Sequence, residues 1–414
     1  MKCSKKISRI AVMLGVSLLT ALCLVFAVFA AGDWFTDKKP VDDYAFSFVL
    51  VGDTQNVTKF YPDKLSMLYD WLLDNREEKK IEYVFGLGDI TNDSTTAEWE
   101  AAKEQIFRLN GKIPYSLVRG NHDTPADFKK YLDEEAYTKQ FEGFYRRTIT
   151  NSYRTFSTHG VDFLMITLDF GPSDQILNWA SELIEAHPNH KVIITTHAYL
   201  TKDGTTLDHQ DKHAPTPEED GQGVVNNGDD MWDKLISKHE NIFLVISGHI
   251  SYEMPLVTQT VGEKGNVVTQ MLVDTQNIDK SQPAGIVVML YFKNDGTTIS
   301  VEQYSTIQQK FYMASAQFDM TVPAFFSTSE ETTENTTEDI VEETTAEETT
   351  TLPEETETTV IPETAETLDA ADETTTESAP AESGCKSSIG GMSMIAVLPV
   401  MLSAFWVRTK KYRR

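Results

Sequence analysis

IEYVFGLGDITND, residues 81–93, is an apolar run of strand length that breaks at glycine into a polar turn carrying Asp89. A run of this kind, bounded by turn residues, predicts a buried strand with a carboxylate on the loop beyond it. The same pattern recurs on both sides. FSFVLVGDTQ (46–55) delivers Asp53, IPYSLVRGNHD (113–123) delivers Asn121, KVIITTHA (191–198) delivers His197 and IFLVISGH (242–249) delivers His249. Stretches with helical spacing lie between these runs, near 63–75, 97–109, 174–187 and 231–239. Strands that alternate with helices predict an α/β domain.

The last third changes character. NVVTQMLVDTQ (266–276) and IVVMLYFKNDGTTISVEQYS (286–305) read as strands, the second turning back on itself at Asn294, Asp295 and Gly296 in the manner of an Asp-Gly hairpin. A second, more antiparallel sheet is expected there. The fold class is then α/β, a four-layer αββα sandwich of two mixed sheets face to face with helices outside. No internal repeat is evident.

In α/β sheets, ligands collect in the loops beyond the carboxyl ends of the strands. Residues spread from 53 to 249 can therefore meet at one edge. Taken singly, each has a bland reading: an Asp after a strand caps a helix, a His fills a surface or satisfied core position, and Asn-His-Asp forms a turn. Taken together, they form a donor set for divalent ions. Carboxylates neutralise and bridge cations, imidazole suits Zn, Fe or Mn, and an amide oxygen adds a neutral ligand that leaves the site net positive for phosphate.

The order GDTQ, GDITND, GNHD, TTH, SGH resembles the calcineurin-like metallophosphoesterase superfamily over residues 46–305. FGPSDQILNWASELIEAHP, MWDKLISKH and QMLVDTQN look like secreted bacterial members of it. The resemblance implies hydrolysis of phosphomonoesters or phosphodiesters by attack of a metal-activated hydroxide on phosphorus, with two divalent ions, Mn, Fe or Zn. It further implies that Asp89 bridges the ions, that Asp53 and Gln55 ligate the first, and that Asn121, His197 and His249 ligate the second. His122 is then the general acid, Asp123 the group that orients its imidazole, and Arg119 a phosphate contact.

Two positions depart from the family pattern. Gln55 stands where D-x-H has its histidine, and Ser251 where G-H-x-H has its second one. Both changes take nitrogen donors from the first ion, which favours Mg²⁺, Ca²⁺ or Mn²⁺ there. The competing reading is a surface binding protein whose degraded metal site recognises phosphate- or sugar-bearing ligands without turnover, and retention of His122 and Asp123 speaks against it. The polar loop 202–230, with His209 and His213, is expected to shape specificity.

The ends of the chain set its address. Lys2, Lys5, Lys6 and Arg9 precede an apolar run closed by Ala30, Ala31 and Gly32, a secretory signal peptide over 1–31. From 327 to 384 the chain is Thr and Glu with scattered Pro, which cannot bury enough apolar surface to fold and reads as a disordered stalk. The apolar segment 389–407 and the basic tail 408–414 read as a transmembrane anchor with a cytoplasmic cap. A domain over 33–326 on the extracellular face of the membrane follows, similar to surface display in Gram-positive bacteria.

The acidity belongs to the stalk: removing the 19 Asp and Glu between 330 and 382 from the formal net charge of −27 leaves −8 for the remainder. Cys3, Cys23 and Cys385 all lie outside 33–326, so the folded part relies on its core and not on disulfides. Basic stretches interleaved with aromatic residues, the mark of a nucleic-acid surface, are absent from the sequence.

Overall fold

The structure, a computed structural model, describes residues 35–36, 41–216 and 225–326. The leader, stalk, apolar segment and basic tail lie outside the described residues. Among the described residues no helix is long and apolar enough to cross a membrane.

The first sheet runs in the order β1 (Phe35–Thr36), β14 (Lys310–Tyr312), β13 (Thr298–Ser305), β12 (Ile286–Lys293), β2 (Tyr44–Val51), β3 (Ile81–Gly86), β4 (Tyr115–Leu117), with β15 (Phe318–Thr321) paired to β13. The second runs β10 (Leu256–Val261), β11 (Val267–Leu272), β9 (Ile242–Ser247), β8 (Lys191–Thr195), β7 (Val161–Thr167), β6 (Ser152–Thr158), β5 (Gly143–Phe144). Both sheets are mixed. The β2–β3–β4 and β7–β8–β9–β11 neighbours are parallel, and the flanking pairs are antiparallel.

The C-terminal strands do not form a sheet of their own, contrary to the expectation from sequence. The β10–β11 pair extends the second sheet, whereas β12 joins the first, antiparallel to β2. The reason lies in β12 itself. Ile286 to Phe292 is buried at every position, and a strand apolar on both faces belongs inside a sheet covered on both sides. Asp295 closes the β12–β13 hairpin by accepting the N–H groups of Thr297 and Thr298, both at 2.8 Å.

Alternation along the strands sorts the layers. Phe46, Phe48, Leu50, Leu290 and Phe292 of the first sheet face Phe163, Met165, Ile193, Leu244 and Ile246 of the second. The alternate residues Val49, Val51, Val84, Val287 and Met289 pack outward with residues of the helices Pro62–Asp74, Thr96–Ile106 and Pro125–Leu132. On the far side Leu164, Ile166, Val192, Ile194 and Val245 pack with the helices Asp174–Ala186 and Gly228–Lys234. Ile176, Leu177, Ala180 and Ile184 form the buried stripe of the former, the spacing of an amphipathic helix. The result is the αββα order of layers.

Parallel pairing also brings strand ends level. Val51 pairs with Gly86 and Gly86 with Leu117; Thr195 pairs with Ile246, and Ser247 with Leu272. The residues that follow these positions therefore emerge side by side at one edge.

The layer between the sheets holds a connected cluster of aromatic rings. Phe48 is fully buried, with its ring 5.0 Å from that of Phe292 and 5.4 Å from that of Phe163. Phe48→Ala is expected to cost roughly 3–5 kcal/mol, read as a lowered denaturant midpoint with an unchanged slope. A loss below about 1 kcal/mol would show that the inter-sheet layer is not the stabilising core.

Candidate metal centre

Asp53, Asp89, Asn121, His197 and His249 meet at this edge. A carboxylate oxygen of Asp89 and one ring nitrogen each of His197 and His249 lie within 4.8 Å of one another. Two imidazoles and a carboxylate at that spacing suit a divalent transition metal.

Backbone contacts choose the ligating nitrogens. His197 is fully buried, and its Nδ1 lies 2.7 Å from the Leu87 carbonyl, so Nδ1 carries the proton. Its Nε2 is left facing Asp89 Oδ1 and Asn121 Oδ1, each at 3.2 Å. His249 Nε2 donates to the His213 carbonyl at 2.8 Å, which leaves Nδ1 for an ion. Holding one ring nitrogen to leave the other for the metal is how proteins orient ligating histidines. Burial and the neighbouring His197 press the pKa of His249 down to about 3, so it stands as the neutral, ligating form.

Close approach explains the glycines. Gly88 has φ +101°, and a Cβ there would sit 2.4 Å from His197 Nδ1; a Cβ on Gly120 would sit 2.1 Å from Asp89 Oδ1. Only glycine fits either place. Asp89 (φ +47°) and His249 (φ +72°) are themselves left-handed, a conformation that non-glycine residues rarely adopt and that gathers at functional sites. Burial works to raise the pKa of Asp89, but His197 and His122 beside it together outweigh burial, and the value falls below the ordinary carboxylate range.

His122 is exposed next to Asp89. Its N–H donates to Asp89 Oδ1 at 2.9 Å, and its ring Nδ1 lies 2.6 Å from the Asn92 carbonyl. Asp123 therefore does not orient this imidazole. It is buried below the turn, and it accepts the N–H groups of Ile90 (3.0 Å), Thr91 (2.9 Å) and Gly120 (3.2 Å) and the Thr91 hydroxyl (2.8 Å). Asp123 splints the two turns that carry Asp89 and Asn121.

Arg119 is not a phosphate contact either. Its side chain is 1% exposed, and Nε meets Asp169 Oδ1 at 2.6 Å. Nη1 donates to the carbonyls of Gly120 and Asp123. The guanidinium points into the protein and braces the GNHD turn from beneath.

The first-ion side contains more than the sequence suggested. Asp53 is buried and accepts the His249 N–H; burial, then Asp274, then Asp89 raise its pKa well above the usual carboxylate range. Gln55 Nε2 donates to Asp89 Oδ2 at 2.9 Å and to Gln276 Oε1 at 2.8 Å. Asp274 and Gln276, which lie beyond the end of β11, escaped the sequence reading. A signal existed: Asp-Thr-Gln-Asn occurs at 53–56 and again at 274–277, a short repeat in a chain that otherwise shows none.

A cleft of about 1010 Å³ opens beside His249, lined by Lys202, Asp208, Lys212 and His213 of the polar loop and by Ser251 and Gln276. His209 stands away from the ligands, 3.0 Å from Asp230. His213 reaches His249 through its backbone carbonyl.

A family model of the calcineurin-like phosphoesterases matches residues 46–252. The uncharacterized protein YvnB of Bacillus subtilis is 26% identical over 283 residues, 65% of this chain and 20% of that protein. A probable glycerophosphodiester phosphodiesterase, GpdQ, of Arcobacter nitrofigilis is 23% identical over 44% of this chain and 62% of its own length. A probable cyclic nucleotide phosphodiesterase of Moraxella catarrhalis is 25% identical over 39% of this chain and 56% of its own. The chain thus spans less than two thirds of each of these relatives. Among solved structures, a dimetal phosphatase from Danio rerio aligns with 68% of this chain and 100% of its own at TM-score 0.44 and 13% identity. A purple acid phosphatase from yellow lupin seeds aligns with 69% of this chain and 55% of its own at TM-score 0.43 and 14% identity.

Two outcomes are expected from this geometry. Arg119→Ala leaves Asp169 buried without its cation and should cost roughly 3–5 kcal/mol in chemical denaturation; a side chain that served only to hold substrate would leave stability unchanged. Burial lifts both Asp123 and Asp274 to about 6. Their raised native values mean that the folded chain holds these protons more tightly than the unfolded chain, so metal-free protein should lose stability as pH rises from about 4 to about 6. Thermal unfolding of chelated protein at pH 5 and pH 7.5, with and without Mn²⁺, should show the larger ion-induced rise at pH 7.5. Equal rises would contradict the assignment.

Proposed function

Because the chain belongs to the calcineurin-like phosphoesterase family, we propose that it hydrolyses phosphomonoesters or phosphodiesters outside the cell with the help of two divalent ions. The observation that carries this reading is the convergence of Asp89, Asn121, His197 and His249 within coordinating reach, with the exposed imidazole of His122 one residue from Asn121.

Asp89, Asn121, His197 and His249 would hold the second ion, and Asp53 and Asp89 the first, with Gln55 beside them donating its amide N–H to Asp89. Mn, Fe or Zn suits the second, and Mn, Mg or Ca suits the oxygen-rich first. Bound ions supply positive charge for the phosphoryl oxygens and lower the pKa of water at the site. The remaining chemistry belongs to the chain. The Asn92 carbonyl holds His122 by Nδ1, so Nε2 is the nitrogen that passes a proton to the departing oxygen. The adjoining cleft carries Lys202 and Lys212 together with Asp203, Asp208, Asp211 and Asp229, so positive charge for an anionic ester would come from the bound ions.

Two relatives bear phosphodiesterase names, one for glycerophosphodiesters and one for cyclic nucleotides, so diesters of these kinds head the substrate screen. The setting we propose, the extracellular face of the cell membrane, rests on the sequence of the leader and of the apolar segment 389–407 with its basic tail.

Turnover of aryl phosphate mono- and diesters by the full chain, with Mn²⁺, Zn²⁺, Fe²⁺ and Ca²⁺ in turn, tests the proposal against two variants. His122→Asn should lower kcat by about 10²–10⁴-fold, the worth of a positioned general acid, and Asp89→Asn should lower kcat at least about 100-fold through loss of the bridging ligand. Unchanged turnover in both would refute the proposal. Phosphate binding without any turnover in the wild type would instead support the surface binding protein.

A further inference from the structure

Gln55 and Ser251, the two positions that depart from the family's metal-binding pattern, border a strand end that the pattern does not include. β11 runs parallel to β9 with Leu272 opposite Ser247, so Asp274 and His249 each stand two residues beyond a paired position. The Asp274 carbonyl accepts the Tyr252 N–H at 2.8 Å, which sets this turn against Ser251. From the same turn, Gln276 reaches the other altered position, where its Oε1 accepts from Gln55 Nε2 at 2.8 Å. One strand end thus bonds Gln55 at one altered position and Tyr252, the residue after Ser251, at the other.

Gln276 Nε2 donates to Asp274 Oδ2 at 2.9 Å and lies 3.5 Å from Asp53 Oδ2. A single nitrogen between two carboxylates marks a point within reach of both. Asp53, Asp89 and Asp274 are 3%, 1% and 0% exposed. The hydrogen bonds that reach Asp53 and Asp274 come from backbone N–H groups and the Gln276 amide. Neutral donors do not cancel charge, and buried carboxylates require a counter-charge.

Resting on the metal centre proposed above, we infer that Asp274 is a ligand of the first ion and stands in for the missing histidines. Gln276 is a positioning residue that ties Asp274 to Gln55. The first site becomes a set of carboxylate oxygens from Asp53, Asp89 and Asp274, which selects a hard cation: Mn²⁺, Mg²⁺ or Ca²⁺; Gln55 turns its amide nitrogen to Asp89, and its Oε1 accepts from Asn92 at 2.8 Å. The second site keeps its two imidazoles, so the two sites differ in the ions they prefer.

The test is ion content and affinity, not turnover. Full-length wild type and Asp274→Asn are stripped with chelator, titrated with Mn²⁺ by calorimetry and analysed for bound metal. The wild type should hold two ions per chain. The variant should hold one tightly, with the other weakened at least about tenfold, the low end of what even an indirect contact to a ligand contributes.

Metal-free Asp274→Asn should also melt at a higher temperature than metal-free wild type, because a like charge has left the cluster; a purely structural Asp274 predicts the reverse. Two ions of unchanged affinity in the variant, or a single ion in an active wild type, would overturn the inference while leaving the phosphoesterase reading intact. If Asp274→Asn does not fold, Gln276→Leu carries the test: a first-site affinity that falls while the second holds supports the inference, and equal affinities for both sites overturn it.

Discussion

Four carboxylates, Asp53, Asp89, Asp123 and Asp274, are buried at the edge shared by two sheets, and the cost of keeping that much like charge out of water organises everything around them. Asp123 is offset by four donors, three from backbone and one hydroxyl. Asp89 is offset by His197 and by the N–H of His122. Asp53 and Asp274 likewise receive neutral donors, from backbone N–H groups and the Gln276 amide. In this protein the candidate metal centre and the fold are one electrostatic problem, since the same buried carboxylates also tie turns from both sheets together.

The same constraint explains the strained backbone. Asp89 and His249 adopt left-handed conformations, each costing of order 1–3 kcal/mol, and both are held there by hydrogen bonds from neighbouring turns. Beneath them the Arg119–Asp169 pair and Asp123 form a rigid floor. A floor of that kind serves ion binding because ligands fixed before the ion arrives need no rearrangement to receive it. The exposed side of the site is different in kind: the polar loop with Lys202 and Lys212 lines an open cleft beside His249.

The altered positions divide the centre into unlike halves. The half built from Asn121, His197 and His249 mixes nitrogen and oxygen donors. The half around Gln55 and Asp53 offers oxygen, and its neighbours Asp274 and Gln276 come from a strand that the family's motif series does not mention. A change that looks like loss along the chain is, in space, accompanied by new polar groups at the same point.

How much of this was legible follows from what is local in a chain. An apolar run, a glycine and a polar residue are sequence neighbours, so the strand ends carrying Asp53, Asp89, Asn121, His197 and His249 could be read directly, and the alternation of strands with helices carried the αββα class with them. The hairpin at Asp295 was readable for the same reason. The directions of side chains were not. Arg119 and Asp123 flank Asn121 and His122 in sequence, yet the pleat and the turn send them inward to Asp169 and to the turn after β3, and Asn92 takes the orienting role at His122.

The joining of β12 to β2 and of β11 to β9 depends on which faces are buried once both sheets exist, and that is decided by tertiary packing. Sequence alone determined which residue types were delivered to the edge of the sheets. Only the tertiary structure decided which of them turn toward one another, because burial, register and hydrogen-bond partners are set by elements far apart in the chain.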